Sequence, residues 1–95
     1  MLVDGRAVEN NSVIEGDICV VGAGAAGLSI AQEFEATNHK VIIVESGGLE
    51  PDEETQALYD GEPEEIGLGG ARRRYFGGST NCWMGRCRPL DVMDF

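Results

Sequence analysis

The chain has 95 residues, which is one domain at most, and its 42% hydrophobic and 25% charged residues are typical of a globular protein. A formal net charge of −10 argues against a nucleic-acid partner, because nonspecific binding to phosphates depends on lysine and arginine. No apolar run approaches the roughly 20 residues of a membrane span, and the polar N-terminus lacks the basic and apolar regions of a signal peptide. We therefore expect a cytoplasmic protein.

The first part of the chain predicts a lead-in segment followed by a strand. Residues 1–16 are polar with turn signals, so we expect a short lead-in or a small hairpin. Residues 17–21 form a short apolar run rich in β-branched side chains, which predicts a strand covered on both faces, as in a parallel sheet. Cys19 lies within it and is expected to be a small core side chain. Three cysteines without CxxC spacing predict neither a disulfide framework nor a metal site.

A helix and a second strand follow. From Ala25 the apolar residues recur at helical spacing, and the helix is predicted to end near 37–39 among weak helix formers. The apolar run at 41–45 predicts another buried strand, and His39, in the turn before it, is expected to be exposed. Strand, helix and strand within 17–48 predict a βαβ unit of the α/β class.

The turn between the first strand and the helix carries a GxGxxG motif. Gly22 lets the chain turn sharply, Gly24 lets a pyrophosphate approach the backbone, and Gly27 lets the helix pack closely on the sheet. The phosphates are expected at the helix N-terminus, Ala25 and Ala26, where free N–H groups and the helix dipole favour an anion. In this context the motif predicts a Rossmann-type dinucleotide-binding unit.

Glu45 ends the second strand, 23 residues after Gly22. This is close to the spacing expected for a carboxylate that binds ribose hydroxyls. An acid at this point, with no arginine nearby in the sequence, disfavours a 2′-phosphate and hence NADP. The spacing does not separate FAD from NAD, because both present ADP to the same motif.

The second half of the chain contains an acidic stretch and another glycine-rich loop. Residues 49–70 are predicted to form a solvated loop with a helical turn at 53–59. The Gly-Gly-Ser-Thr sequence at 77–80 offers adjacent hydroxyl and amide donors that can wrap an anion or the edge of a planar ring, although alone it also fits a plain surface turn. The arginines at 72–74 either neutralise a pyrophosphate or form a solvated run.

The two glycine motifs together resemble the N-terminal part of the glucose–methanol–choline (GMC) oxidoreductases, which are FAD-dependent alcohol and sugar oxidases or dehydrogenases. The resemblance covers roughly 17–95 and is carried by Gly22 to Gly48 and by 74–81. It implies FAD as cofactor and hydride transfer from a CH–OH group to the flavin. The chain would be the N-terminal part of an FAD-binding domain, with the βαβ unit at 17–48, an acidic loop at 49–70 and a flavin loop at 71–95.

The resemblance also implies roles for individual residues. The glycine turn would hold the pyrophosphate, Glu45 the adenosine ribose, and the 77–79 loop would run beside the pyrophosphate and ribityl chain, with Asn81 and Cys82 near the flavin. The implied cofactor-binding residues are Gly22, Gly24, Ala25, Ala26, Gly27, Glu45, Ser46, Gly77, Gly78, Ser79, Asn81 and Cys82.

The segment 81–83, Asn-Cys-Trp, is closer to the pyranose-oxidase-like branch of the family. Trp83 stands where many members have asparagine. Cys82 takes the place of a histidine that can carry covalent flavin, which favours a noncovalent flavin, although a thiol can in principle link to the flavin 8α carbon. Cys87 is expected to be structural.

The enzymes resembled here use a C-terminal histidine with a histidine or asparagine partner as base, and this sequence contains neither that pair nor a substrate domain. We therefore expect an inactive fragment with no catalytic residue and no metal site, an alcohol or sugar being a substrate of the full-length enzyme only. Two alternatives remain open at this point: an NAD-binding half-domain of a dehydrogenase or reductase, and a truncated remnant that binds nothing.

Overall fold

The structure is a computed structural model that describes residues 1–60, 72–82 and 88–95. Within these ranges the chain is a small mixed α/β structure with a two-stranded parallel sheet and two α-helices. None of the helices in the described ranges has the length and apolar character that crossing a membrane requires. Some sequence predictions concern residues outside the description: the acidic loop beyond residue 60, Trp83 and Cys87.

The two predicted strands are present and lie side by side. Strand β1 is Ile18–Val21 and strand β2 is Val41–Val44. They pair in parallel, with Ile18 opposite Val41 and Val21 opposite Val44. The ladder extends by one hydrogen bond, from Gly22 N to Val44 O at 2.8 Å. Both strands therefore end at the same edge of the sheet, where the glycine turn and Glu45 follow.

Helix α1, Ala25–Glu33, connects the strands and ends earlier than the sequence predicts. The N–H of Phe34 donates to Ala31 O at 3.2 Å, which tightens the last turn. The Thr37 hydroxyl donates to Phe34 O at 2.7 Å, so a side chain takes a carbonyl that a longer helix would have used. His39 follows this turn and is exposed, as expected.

The prediction that both strands are buried on both faces is wrong. Helix α1 packs against both strands and covers one face. Because side chains alternate along a strand, Val20 is buried while Val21 is 85% exposed. Cys19 is also exposed, so it is not a core side chain. Among the described residues the buried hydrophobic side chains are those of Val20 and Ala23.

Two short segments complete the description. Helix α2, Glu53–Gln56, continues into a 3₁₀ turn, Ala57–Tyr59, which confirms the predicted helical turn. Residues 1–16 contain a 3₁₀ turn, Gly5–Ala7, and no strand, so the predicted hairpin is wrong. The Asp4 carboxylate accepts from Arg6 N at 3.0 Å and so caps the 3₁₀ turn.

Candidate functional site

Two glycines of the motif are required by the fold itself. Gly22 has φ +100°, a conformation that residues with a side chain rarely adopt. At Gly27, a Cβ atom would lie 2.0 Å from the Gly22 carbonyl oxygen. The absence of a side chain at Gly27 therefore lets α1 start directly against the turn that ends β1.

Gly24 is different, because the fold does not need a glycine there. Its φ of −80° and ψ of −176° suit any residue, and a Cβ added to it would meet no described atom within 4 Å. The space in front of Gly24 is therefore open. A missing side chain that the fold does not require is consistent with a ligand that approaches the backbone at this point.

The N-terminus of α1 faces this open space. Gly24 is its N-cap and offers no side-chain hydrogen bond, so the N–H groups of the first turn lack the cap that a serine or aspartate would supply. Ala25 and Ala26 have small side chains that leave these groups accessible. Uncapped N–H groups and the helix dipole together favour an anion.

The second glycine-rich loop docks beside this turn. Gly77 N donates to Ala23 O at 2.8 Å, and Gly77 forms a parallel bridge with Gly24. The neighbouring Phe76 N donates to Gly48 O at 2.9 Å. Backbone hydrogen bonds, which need no particular side chains, therefore hold the second loop against the glycine turn and against the segment that follows β2.

Between the two loops lies an open cleft of about 380 Å³. None of the described residues that line it has a titratable side chain, and the polar groups of these residues are backbone groups and two hydroxyls. The lining residues are Val21, Gly22, Gly24, Ala25, Ala26, Gly27, Gly77, Ser79 and Thr80. Val21 and Thr80 are absent from the predicted set, although Thr80 belongs to the Gly-Gly-Ser-Thr signal.

Glu45 lies at the mouth of the glycine turn. Its Oε2 accepts from Ala23 N at 2.7 Å. Its Oε1 accepts from Gly47 N at 3.1 Å and from the Ser46 hydroxyl at 3.2 Å. Partial burial by itself raises the pKa of Glu45, but these hydrogen bonds outweigh it and hold the pKa below its ordinary value. The carboxylate is thus ionised and fixed beside the turn.

The polar side chains of the second loop have partners within the loop. The Ser79 hydroxyl accepts from Arg73 N at 3.2 Å and also faces the cleft. Cys82 is exposed, and its Sγ accepts from Arg73 Nε at 3.1 Å. Cys82 is not among the described residues that line the cleft.

Asn81 holds the shape of the loop. Its Nδ2 donates to Phe76 O at 2.9 Å and to Gly78 O at 3.1 Å. Gly78 has φ +56°, which the amide stabilises by holding both ends of the turn. Neither Asn81 nor Gly78 is among the described cleft residues.

The structure also brings an arginine to Ser46, the residue next to Glu45 in the sequence. Arg74 Nη1 donates to Ser46 Oγ at 3.2 Å, and the guanidinium lies 4.1 Å from the centre of the Tyr59 ring. A Cβ at Gly47 would be 1.9 Å from Arg74 O, so glycine is needed for this approach. The contact spans 28 residues and is invisible to local spacing. The case against NADP therefore depends on Glu45 alone.

Arg74 is not part of a solvated run. Its Nε is shielded from solvent and has no hydrogen-bond partner in the part of the chain that the structure describes. An unpaired buried donor costs about 1–3 kcal/mol. By contrast, Arg72 and Arg73 are exposed, and none of the three arginines lines the described cleft.

Comparison with protein-family models, with curated protein sequences and with solved structures gives no match. The geometry of the cleft and the sequence resemblance therefore carry the functional assignment.

Proposed function

We propose that this protein binds FAD, with the ADP half held by a Rossmann-type βαβ unit, as part of a GMC-like flavoprotein oxidoreductase that oxidises CH–OH groups of alcohols or sugars. The single observation that supports it best is the hydrogen bond from Ala23 N to Glu45 Oε2. It puts a fixed carboxylate at the mouth of a glycine turn that opens a helix, which is the pairing of groups that ADP requires.

The cleft suits a diphosphate. The uncapped N–H groups at Ala25 and Ala26 are hydrogen-bond donors, and the open space at Gly24 admits a phosphate to the backbone. A hydrogen bond between an N–H group and a charged oxygen contributes about 1.5–3 kcal/mol. Two such bonds would give measurable affinity without any lysine or arginine in the cleft.

Glu45 suits the ribose. An ionised carboxylate has about four lone-pair sites. The Ala23 and Gly47 N–H groups and the Ser46 hydroxyl donate to Glu45, and the Ser46 N–H group also lowers its pKa by hydrogen bonding. A ribose hydroxyl would donate to this fixed carboxylate alongside one of these groups or in its place. The depressed pKa keeps that acceptor charged at neutral pH.

The second loop favours FAD over NAD. The ADP portion, which the two ligands share, needs only the first glycine motif. Gly77, Ser79 and Thr80 extend the cleft beyond that motif and add two hydroxyl groups. The Thr80 hydroxyl already donates to Gly77 O, so Ser79 can donate to the ribityl chain of FAD and both hydroxyl oxygens can accept from it. When bound, the flavin itself supplies the hydride acceptor, while the protein positions it.

Equilibrium dialysis of the 95-residue chain against FAD, ADP, FMN and NAD⁺ tests this proposal. We expect FAD and ADP to bind and FMN, which lacks the adenosine and one phosphate, to bind much more weakly. Ser79→Ala should weaken FAD more than ADP, because Ser79 belongs to the second loop. Ser29→Ala, an exposed position on α1, is the matched control and should change neither.

Each alternative predicts a different result. An NAD-binding half-domain would bind NAD⁺ at least as tightly as FAD, and Ser79→Ala would affect both alike. A remnant without a site would retain none of the four ligands. Either result overturns the assignment of FAD.

A further inference from the structure

We propose that Arg74 is a positioning residue for the adenosine end of the site. Acting through the Ser46 hydroxyl, it fixes the Glu45 carboxylate that receives the ribose hydroxyls. This inference deepens the proposed function and rests on it.

Arg74 is held in place from two sides. Its guanidinium lies on the face of the Tyr59 ring, 4.1 Å from the ring centre, as in a cation–π contact. Its backbone N donates to Gln56 Oε1 at 3.1 Å, and Gln56 Nε2 donates to Arg72 O at 2.8 Å. The 3₁₀ turn and α2 therefore fix both the backbone and the side chain of Arg74.

The contact between Arg74 and Ser46 determines the direction of the hydrogen bond between Ser46 and Glu45. A guanidinium group only donates, so Ser46 Oγ accepts from Arg74 Nη1 at 3.2 Å. A serine hydroxyl has a single hydrogen, and the other close partner of Ser46 Oγ is Glu45 Oε1 at 3.2 Å. The hydrogen of Ser46 therefore points to Glu45. Arg74 thereby fixes the direction of the hydrogen bond from Ser46 to Glu45. A partner that could also accept a hydrogen bond would let the Ser46 hydroxyl donate to it instead.

Arg74 does this without occupying the carboxylate. The ion pairs among the described residues are Arg6 with Asp4 and Arg88 with Asp94, and do not include Arg74 with Glu45. A direct ion pair would use the lone pairs that a ribose hydroxyl needs. The relay through Ser46 orients the carboxylate without adding the guanidinium to its hydrogen-bond partners.

The consequence is a dependence on ribose hydroxyls. Loss of Arg74 should weaken a ligand that donates ribose hydroxyls to Glu45, and should leave nearly unchanged a ligand that has none. A residue that merely supports the fold would weaken both ligands equally. The ratio of the two affinities therefore separates positioning from structural support.

The test compares ADP with 2′,3′-dideoxy-ADP by ¹⁵N NMR titration of the 95-residue chain, following the Ala25 amide. In the wild-type chain ADP should bind more tightly. Arg74→Ala should reduce ADP affinity about three- to tenfold, the range for one net hydrogen bond, and dideoxy-ADP affinity less than twofold. Arg74→Lys, which also only donates, should retain part of the difference. Arg72→Ala removes the same charge from an exposed neighbour and should leave the ratio unchanged.

Ser46→Ala keeps the test decisive if Arg74→Ala does not fold, which the spectrum itself reports. This substitution leaves the contact between Arg74 and Tyr59 intact but removes the hydroxyl that links Arg74 to Glu45. It should therefore lower the ratio of ADP affinity to dideoxy-ADP affinity as Arg74→Ala does. The double variant should lower this ratio no further. If the wild-type chain binds ADP more tightly than dideoxy-ADP and the variants keep the same preference, this inference alone is overturned. A wild-type chain that binds no ADP overturns the proposed function and this inference with it.

Discussion

Substitution of Gly24 by alanine tests binding separately from folding. The backbone at Gly24 already has an extended conformation that alanine adopts without strain, and the added Cβ would meet no described atom within 4 Å. The methyl group would instead project into the open space where we place the pyrophosphate. Binding should therefore fall while stability changes little.

The expected magnitudes follow from the same geometry. Replacing glycine by alanine at a compatible position stabilises a protein by about 0.4–1 kcal/mol, because the unfolded chain loses conformational freedom. Gly24 is also the N-cap of α1, where alanine is less favourable than glycine, so the two effects oppose each other and the net change in stability should be small. Displacing the phosphate by the width of a methyl group should break at least one charge-assisted hydrogen bond, worth about 1.5–3 kcal/mol. ADP and FAD affinities should then fall about ten- to a hundredfold.

The assay pairs two measurements on the same samples. Urea denaturation gives the free energy of unfolding, and equilibrium dialysis gives the dissociation constants for ADP and FAD. A Gly24→Ala chain that binds both ligands as the wild type does would refute the placement of the pyrophosphate at this turn. A large loss of stability would refute the view that the fold tolerates a side chain here.

Three further outcomes are expected. Gly27→Ala should lower the urea midpoint, since its Cβ would lie 2.0 Å from Gly22 O and overpacking costs about 1–3 kcal/mol; an unchanged midpoint would contradict the close packing. The pKa of Glu45 is lower in the folded chain than its ordinary 4.5, so the carboxylate stabilises the fold above about pH 4.5 and loses that contribution as the pH falls through the folded pKa. The difference in unfolding free energy between wild type and Glu45→Gln should accordingly shrink below pH 4.5, and a pH-independent difference would count against it. Finally, dye-coupled assays with alcohols and sugars should show no turnover by this chain, because its one histidine, His39, precedes β2 at the opposite end of the sheet from the cleft. Turnover would contradict this expectation and show that the chain does contain catalytic groups.

The local part of the site could be predicted from sequence because its causes are local. A β-branched run, a change to helical spacing and a second apolar run predict two parallel strands and a helix, which the structure contains. The conformation of Gly22 and the contact at Gly27 follow from the need to turn directly from a strand into a helix. The position of Glu45 follows because both strands end at the same edge of the sheet.

Burial could not be predicted in the same way. An apolar run indicates what a strand is able to pack against, whereas exposure depends on which elements cover it. Here α1 covers one face, and Cys19 and Val21 on the other face are exposed. The sequence also predicts an end of α1 that is too late. The Thr37 hydroxyl competes for a backbone carbonyl, and helical periodicity does not report such competition.

Contacts between distant segments cannot be predicted from local sequence spacing. Arg74 reaches Ser46 across 28 residues, and this depends on the glycine at 47 and on the Tyr59 ring. Each of these residues has an ordinary interpretation when taken alone. Only their arrangement in space gives Arg74 a place beside the carboxylate.

The most direct measurement is NMR detection of ¹⁵N–³¹P scalar coupling through hydrogen bonds in the ¹⁵N-labelled chain saturated with ADP. We predict couplings from backbone amides between Gly24 and Gly27 to the diphosphate, since those groups open α1 without a side-chain cap. Couplings confined to other amides, or an ADP complex with none, would show that the diphosphate lies elsewhere and that the glycine turn does not hold it.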